Sequence, residues 1–85
     1  MNISLINIDD LFNSEVQIKR MEDSVIYINN RLDTFYNTDQ EKKDIARNVE
    51  YLEQMLSKKF IKDSISNEKR DLFLNAIERG KTVLS

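Results

Sequence analysis

From Ile18 to Phe35 the apolar positions are Ile18, Met21, Val25, Ile28, Leu32 and Phe35, at spacings of 3, 4, 3, 4 and 3. That spacing is a heptad stripe, one face of a helix that packs against a neighbour. Within it, Val25-Ile26-Tyr27-Ile28 places β-branched and aromatic residues side by side, which taken alone favours a strand. A half-buried strand would alternate with period two, and this segment does not. The run therefore belongs to a helix that carries more apolar surface than one face hides.

Start and stop signals bound the elements. Ser14-Glu15-Val16-Gln17 fits a capping box, with serine capping and glutamine reaching back. Thr38-Asp39-Gln40-Glu41 fits a second. The first helix must then end near Tyr36, with Asn37 turning the chain. The second helix presents Ile45, Val49, Leu52 and Leu56, then Phe60, so its stripe drifts from a strict heptad. Met55 and Phe60 flank that seam. "KDSISNEK", residues 62–69, is a polar, serine-rich interruption. Ser66 or Asn67 can cap a third helix with Glu68 in its first turn, where negative charge suits the helix dipole. Its apolar face is Leu72, Phe73, Ala76 and Ile77. Gly80 either ends this helix or lets it continue to Leu84 in close contact with a neighbour.

The expected fold is all-α. Helices over about 14–36, 38–62 and 67–80 make an antiparallel, coiled-coil-like hairpin with a shorter third helix, a small three-helix bundle that is expected to dimerise. The two long helices would each run about 35 Å at 1.5 Å per residue. Residues 1–13, with Ile3, Leu5, Ile6, Ile8, Leu11 and Phe12, are too apolar for a solvated tail. They form a short helix across the bundle end or an arm that reaches a partner.

The surplus apolar surface bears on function. With Ile18, Val25 and Leu32 at a and Met21, Ile28 and Phe35 at d, Ile26 and Tyr27 fall at b and c, away from the seam. Tyr51 likewise points away from the second helix's stripe. Either the third helix and the arm cover these residues, or they form an interface with a subunit or partner, where tyrosine is enriched. A short third helix would leave one end of the hairpin bare, and two hairpins together would make a four-helix core. Hence the expected homodimer.

Composition narrows the chemistry. The chain has 85 residues, no cysteine and no histidine, which removes disulfides, thiol chemistry and the usual zinc ligands. Eighty-five residues make one thin-cored domain. With no proline and a single glycine, long helices are the natural outcome. Ten isoleucines, nine asparagines and eight lysines are what an AT-rich genome encodes, as in a phage or a low-GC bacterium. The N-terminus has no basic leader and no stretch reaches the roughly 18 apolar residues of a membrane span, so the expected location is the cytoplasm.

Net charge is −2, unevenly spread. Residues 1–41 hold eight acids and three bases, residues 42–85 seven acids and ten bases. A globally acidic chain has no general attraction to nucleic acid, but Lys58, Lys59, Lys62, Lys69 and Arg70 form a local basic stretch that could touch phosphates. Glu50 and Glu53 share a helical face without the histidines and inward acids of a di-metal bundle, and a solvated face explains them better. No phosphate-binding glycine loop exists. The chain is thus expected to be non-catalytic, with no cofactor or metal. "IDDLF", residues 8–12, resembles short acidic-hydrophobic docking peptides, though a hydrophobic cap on the bundle is preferred.

These readings converge on a small helical protein that binds and regulates or bridges another macromolecule, expected to be a protein, in the manner of a phage-encoded host-factor inhibitor or assembly factor. The contacts expected are Ile26, Tyr27 and Tyr51, then Leu11 and Phe12. The alternative is a nucleic-acid-associated protein using Lys58, Lys59, Lys62, Lys69 and Arg70.

Overall fold

The computed structural model describes residues 13–34 and 38–84. Among these the chain is all-helical: α1 (Ser14–Asp33), α2 (Asp39–Leu56), a single turn α3 (Lys59–Lys62) and α4 (Asn67–Leu84). None of these helices is long and apolar enough to cross a membrane.

Capping chemistry sets the starts. Thr38 caps α2 as expected, its Oγ1 accepting the Glu41 N–H at 3.1 Å, but the Glu41 carboxylate accepts the Thr38 hydroxyl at 2.8 Å, which differs from the backbone N–H bond of a full capping box. Ser66 Oγ accepts the Lys69 N–H at 3.1 Å, as expected. The first box differs. Asn13, not Ser14, caps α1, its Oδ1 accepting the Glu15 and Val16 N–H groups at 2.9 and 3.3 Å. The amide one residue earlier wins the cap, and Gln17 is released to the α1–α2 seam.

Three polar contacts fix the seam between α1 and α2 as antiparallel: Tyr27 with Asp44, Arg31 with Glu41, and Tyr51 with Gln17. Lys69 meets Glu22, and Arg79 meets Asn29 and Asp33, so α4 runs parallel to α1 and antiparallel to α2. The core between the helices holds Met21, Val25 and Ile28 of α1, Ile45, Val49, Leu52 and Met55 of α2, and Phe73, Ala76 and Ile77 of α4. Within the described residues the predicted stripes of α1 and α2 are thus the buried faces, with Met55 drawn in, while Phe35 lies outside the described residues and Leu72 of the expected α4 face is not in the core. Ile18, Leu32 and Leu56 pack at the margins.

Three element boundaries are corrected. The first helix closes at Asp33 with Thr34 as its cap, short of residue 36, and the expected turn at Asn37 lies outside the described residues. The second helix does not run to residue 62. It stops at Leu56, Ser57 closes it, and Lys58 is extended at φ −84°, ψ 132° before α3 begins. In an unbroken helix Ile61 would sit nine residues beyond Leu52, about two and a half turns on and on the opposite face. The extended Lys58 resets the phase, and Ile61 becomes a fully buried core residue. The third helix is not short: α4 has 18 residues, as many as α2, so it covers the hairpin and the uncovered-end argument for a homodimer falls away.

Gly80 explains that length. It is buried within α4 and has no positive φ, so it does not end the helix. A Cβ built there would run into Val49 Cγ2 and lie 3.5 Å from Ile45 Cγ2. Glycine lets α4 lie against α2 at the level of Ile45 and Val49. The helix continues because nothing stops it.

Candidate partner-binding groove

The sequence-predicted contact residues separate once placed on the fold. Ile26 is 57% exposed, the most open large hydrophobic among the described residues. Tyr27 is half-buried, with its hydroxyl donating to Asp44 Oδ2 at 3.3 Å and the Arg31 guanidinium 5.4 Å from its ring centroid. Tyr51 packs against the core, and its hydroxyl donates to Gln17 Oε1 at 3.3 Å. Desolvation raises the Tyr51 pKa above that of a free tyrosine, an effect the nearby positive charge of Arg20 opposes. Tyr51 therefore tethers α2 to α1 and is not a free contact. Heptad logic put it off the seam, but the long tyrosine side chain reaches back to Gln17 on the α1 helix that the seam already faces. Leu11 and Phe12 lie outside the described residues.

The basic stretch also divides. Lys59 is tied to Asp63 at 2.7 Å, and this hydrogen bond, then the charge of Asp63, raises the lysine pKa. Lys69 is turned toward α1 by Glu22. Lys58, Lys62 and Arg70 are left, with no ion pair among the described residues. Of the five, the fold brings Lys62 and Arg70 together. They flank Leu56 and Leu74 in a depression of about 300 Å³.

This depression is one end of a trough between α2 and α4. Further along, Leu56, Leu74 and Ile77 continue as its floor, and Glu53 with Lys81, joined at 2.5 Å, closes the side. The trough exists because α4 turns Phe73, Ala76, Ile77 and Gly80 inward. Leu74, 100° from Phe73 around the helix, is then left on the flank facing α2, 47% exposed. Leu72, expected on the buried face, sits 100° the other way and is 45% exposed. By helical position it joins Ile26 beside the α1–α4 seam, between the Glu22–Lys69 and Asp33–Arg79 ion pairs.

Sequence reasoning missed Leu74. The signal was available: Leu72, Phe73 and Leu74 are consecutive, and one helical face cannot bury all three. Glu50 and Glu53 do not converge on a site, since Glu50 is exposed and Glu53 holds Lys81. No cluster of three acids placed to hold a metal ion occurs among the described residues. The depression beside Lys62 and Arg70 is at the small end of ligand pockets and open to solvent, a shape suited to side chains of a passing polypeptide. No family model, curated protein or solved structure matches the chain.

Proposed function

We propose that the chain is a non-catalytic binding protein that captures a protein partner in the α2–α4 trough and so regulates or bridges it. The ligand is an amphipathic polypeptide segment with apolar side chains on the Leu56–Leu74–Ile77 floor and an acidic residue between Lys62 and Arg70. The observation that carries this reading is the near half-exposure of Leu74 in a trough whose mouth holds two cations without ion pairs among the described residues. An apolar floor with a charged rim is the anatomy of a protein interface.

A peptide-display selection on the whole protein tests it. Enriched peptides should combine Asp or Glu with Leu, Ile or Phe, and should lose binding to Leu74→Glu and to Lys62→Glu/Arg70→Glu. Enrichment of peptides without acids, or binding indifferent to Leu74→Glu, would overturn the reading.

Nucleic-acid association is the second reading, favoured by Lys58, Lys62 and Arg70, which have no ion pair among the described residues. Three cations around an apolar trough, in a chain of net charge −2, give it less support. Fluorescence anisotropy with single- and double-stranded oligonucleotides separates the two. Binding that weakens steeply as salt rises, whatever the state of Leu74, would replace a protein partner with nucleic acid.

A further inference from the structure

We infer that the ligand of the α2–α4 trough is itself a helix, docked as the fourth helix of a bundle. This rests on the trough being a polypeptide-binding site. The docked helix sets an acid at the Lys62–Arg70 end and an apolar stripe over Leu74 and Ile77. It sets a base at the end marked by Glu53 and Glu78.

The register is written on α4. Toward the core this helix turns Phe73, Ala76, Ile77 and Gly80. A second line, Arg70, Leu74, Ile77 and Lys81, borders the trough, and its spacings of 4, 3 and 4 are those of a heptad seam. A helix with two such lines on adjacent flanks is built for neighbours on two sides. The core takes the first line. Along the second, from Arg70 to Lys81, α4 rises about 16.5 Å in three steps. A ligand helix lying alongside has the same rise and stays in step. An extended segment places same-side residues about 7 Å apart, so three steps carry it about 20 Å and its apolar residues slip off Leu74 and Ile77. A groove between packed helices is also a common seat for a recognised helix.

The two ends of the trough differ in charge. Lys62 and Arg70 stand at one end with no ion pair among the described residues. Toward the other end Glu53 is held by Lys81. Glu78 lies exposed beside Leu74, Ile77 and Lys81, again with no ion pair among the described residues. One pole is left positive and the other negative, so a helix with an acid and a base about 11 residues apart complements both.

A second copy of α4 does not. Paired antiparallel through Leu74 and Ile77, it would bring Arg70 of each copy against Lys81 of the other. Paired parallel, it would bring Arg70 against Arg70. Like charges meet in both directions.

Two fluorescein-labelled peptides of one composition, titrated with the full chain, test the inference. Both are alanine–glutamine peptides bearing Glu, Leu, Ile and Arg in that order, the first at spacings of 4, 3 and 4 and the second at spacings of 2. The first should bind at least about tenfold more tightly. Lys62→Glu/Arg70→Glu should weaken it about tenfold, and replacing the peptide's Glu by Lys should restore the affinity. Glu78→Lys should weaken it by a smaller factor, restored by replacing the peptide's Arg with Glu. Equal affinities of the two peptides would overturn the inference, as would losses that the peptide changes do not restore. Absence of binding by both peptides would overturn it too.

Leu74→Glu separates this inference from the reading beneath it. If the two peptides bind equally and Leu74→Glu abolishes both, the trough remains a polypeptide site and the helical ligand falls. If a bound peptide ignores Leu74→Glu, the trough is lost as the site and the helix with it. Where neither peptide binds, the display selection decides the fate of the trough separately. Light scattering on the chain alone is the last arm: a dimer that Leu74→Glu dissociates would overturn the inference in favour of a second copy.

Discussion

The Tyr51 hydroxyl of α2 donates to the Gln17 side-chain oxygen of α1 across 3.3 Å, joining residues 34 apart in sequence where Gln17 is buried. Tyr51→Phe keeps the ring and removes the donor. A lost hydrogen bond of this type costs about 0.5–1.5 kcal/mol. Denaturant melts of wild type and variant should differ by that amount, with unchanged slopes.

The same residue gives the protein an alkaline limit. Burial raises the Tyr51 pKa above its ordinary value of 10.0, so the folded state favours the protonated hydroxyl. That stabilisation is complete below the unfolded pKa, around 10, and is lost as pH rises through the higher folded value. Stability measured against pH should fall more steeply above about pH 10 in wild type than in Tyr51→Phe. Parallel curves would mean that Tyr51 titrates as in the unfolded chain.

Gly80→Ala tests the close approach of α4 to α2. Helix propensity alone predicts a gain of about 1 kcal/mol. The new methyl, however, meets the buried, branched Val49 side chain, and overpacking costs about 1–3 kcal/mol. The steric effect should win and the thermal midpoint should drop. A rise would mean that α4 stands further from α2 than described.

Ile61→Ala and Phe60→Ala distinguish the broken helix from a continuous one. Ile61 is fully buried and Phe60 only partly. Losing Ile61 should cost about 2–5 kcal/mol, and losing the larger Phe60 less. A continuous helix through residue 62 predicts the opposite ranking.

Ile26→Glu should be nearly silent for stability, within about 0.5 kcal/mol, because an open position has little packing to lose. Chemical denaturation checks it. A loss above 2 kcal/mol would show that Ile26 is covered by something, whether residues 1–12 or a second subunit.

Much of the fold was legible because two signals agreed. In α1 and α2 the apolar spacing and the turn chemistry at Thr38 point to the same antiparallel pair, and Met21, Val25, Ile28, Ile45, Val49 and Leu52 are the core. The spacing from Leu52 to Leu56 and Phe60 concealed the break at Lys58, since a stripe extended by one more apolar residue looks like a longer helix. Ile61, off that stripe, was the clue. At Gly80 the sequence allowed two outcomes, and only the position of Val49 decides between them. The site was less legible. A charge cluster in sequence says nothing of which lysines are consumed by Asp63 and Glu22. Leu74 matters for the side of α4 it occupies, which depends on two other helices.

The polar contacts that hold α4 also differ in how much chain they span. Arg31 finds Glu41 across only 10 residues, whereas Lys69 finds Glu22 across 47 and Arg79 finds Asn29 across 50. The α1–α2 pairing is local at its Arg31–Glu41 end, and α4 reaches α1 only across long stretches of chain although it meets α2 nearer in sequence through Glu53 and Lys81. The helix α4 carries both Leu72 and Leu74, so an α1–α2 hairpin without it has no trough at all. On the reading proposed above, binding in the trough therefore requires α4 to be docked, and an α1–α2 hairpin alone should bind nothing there.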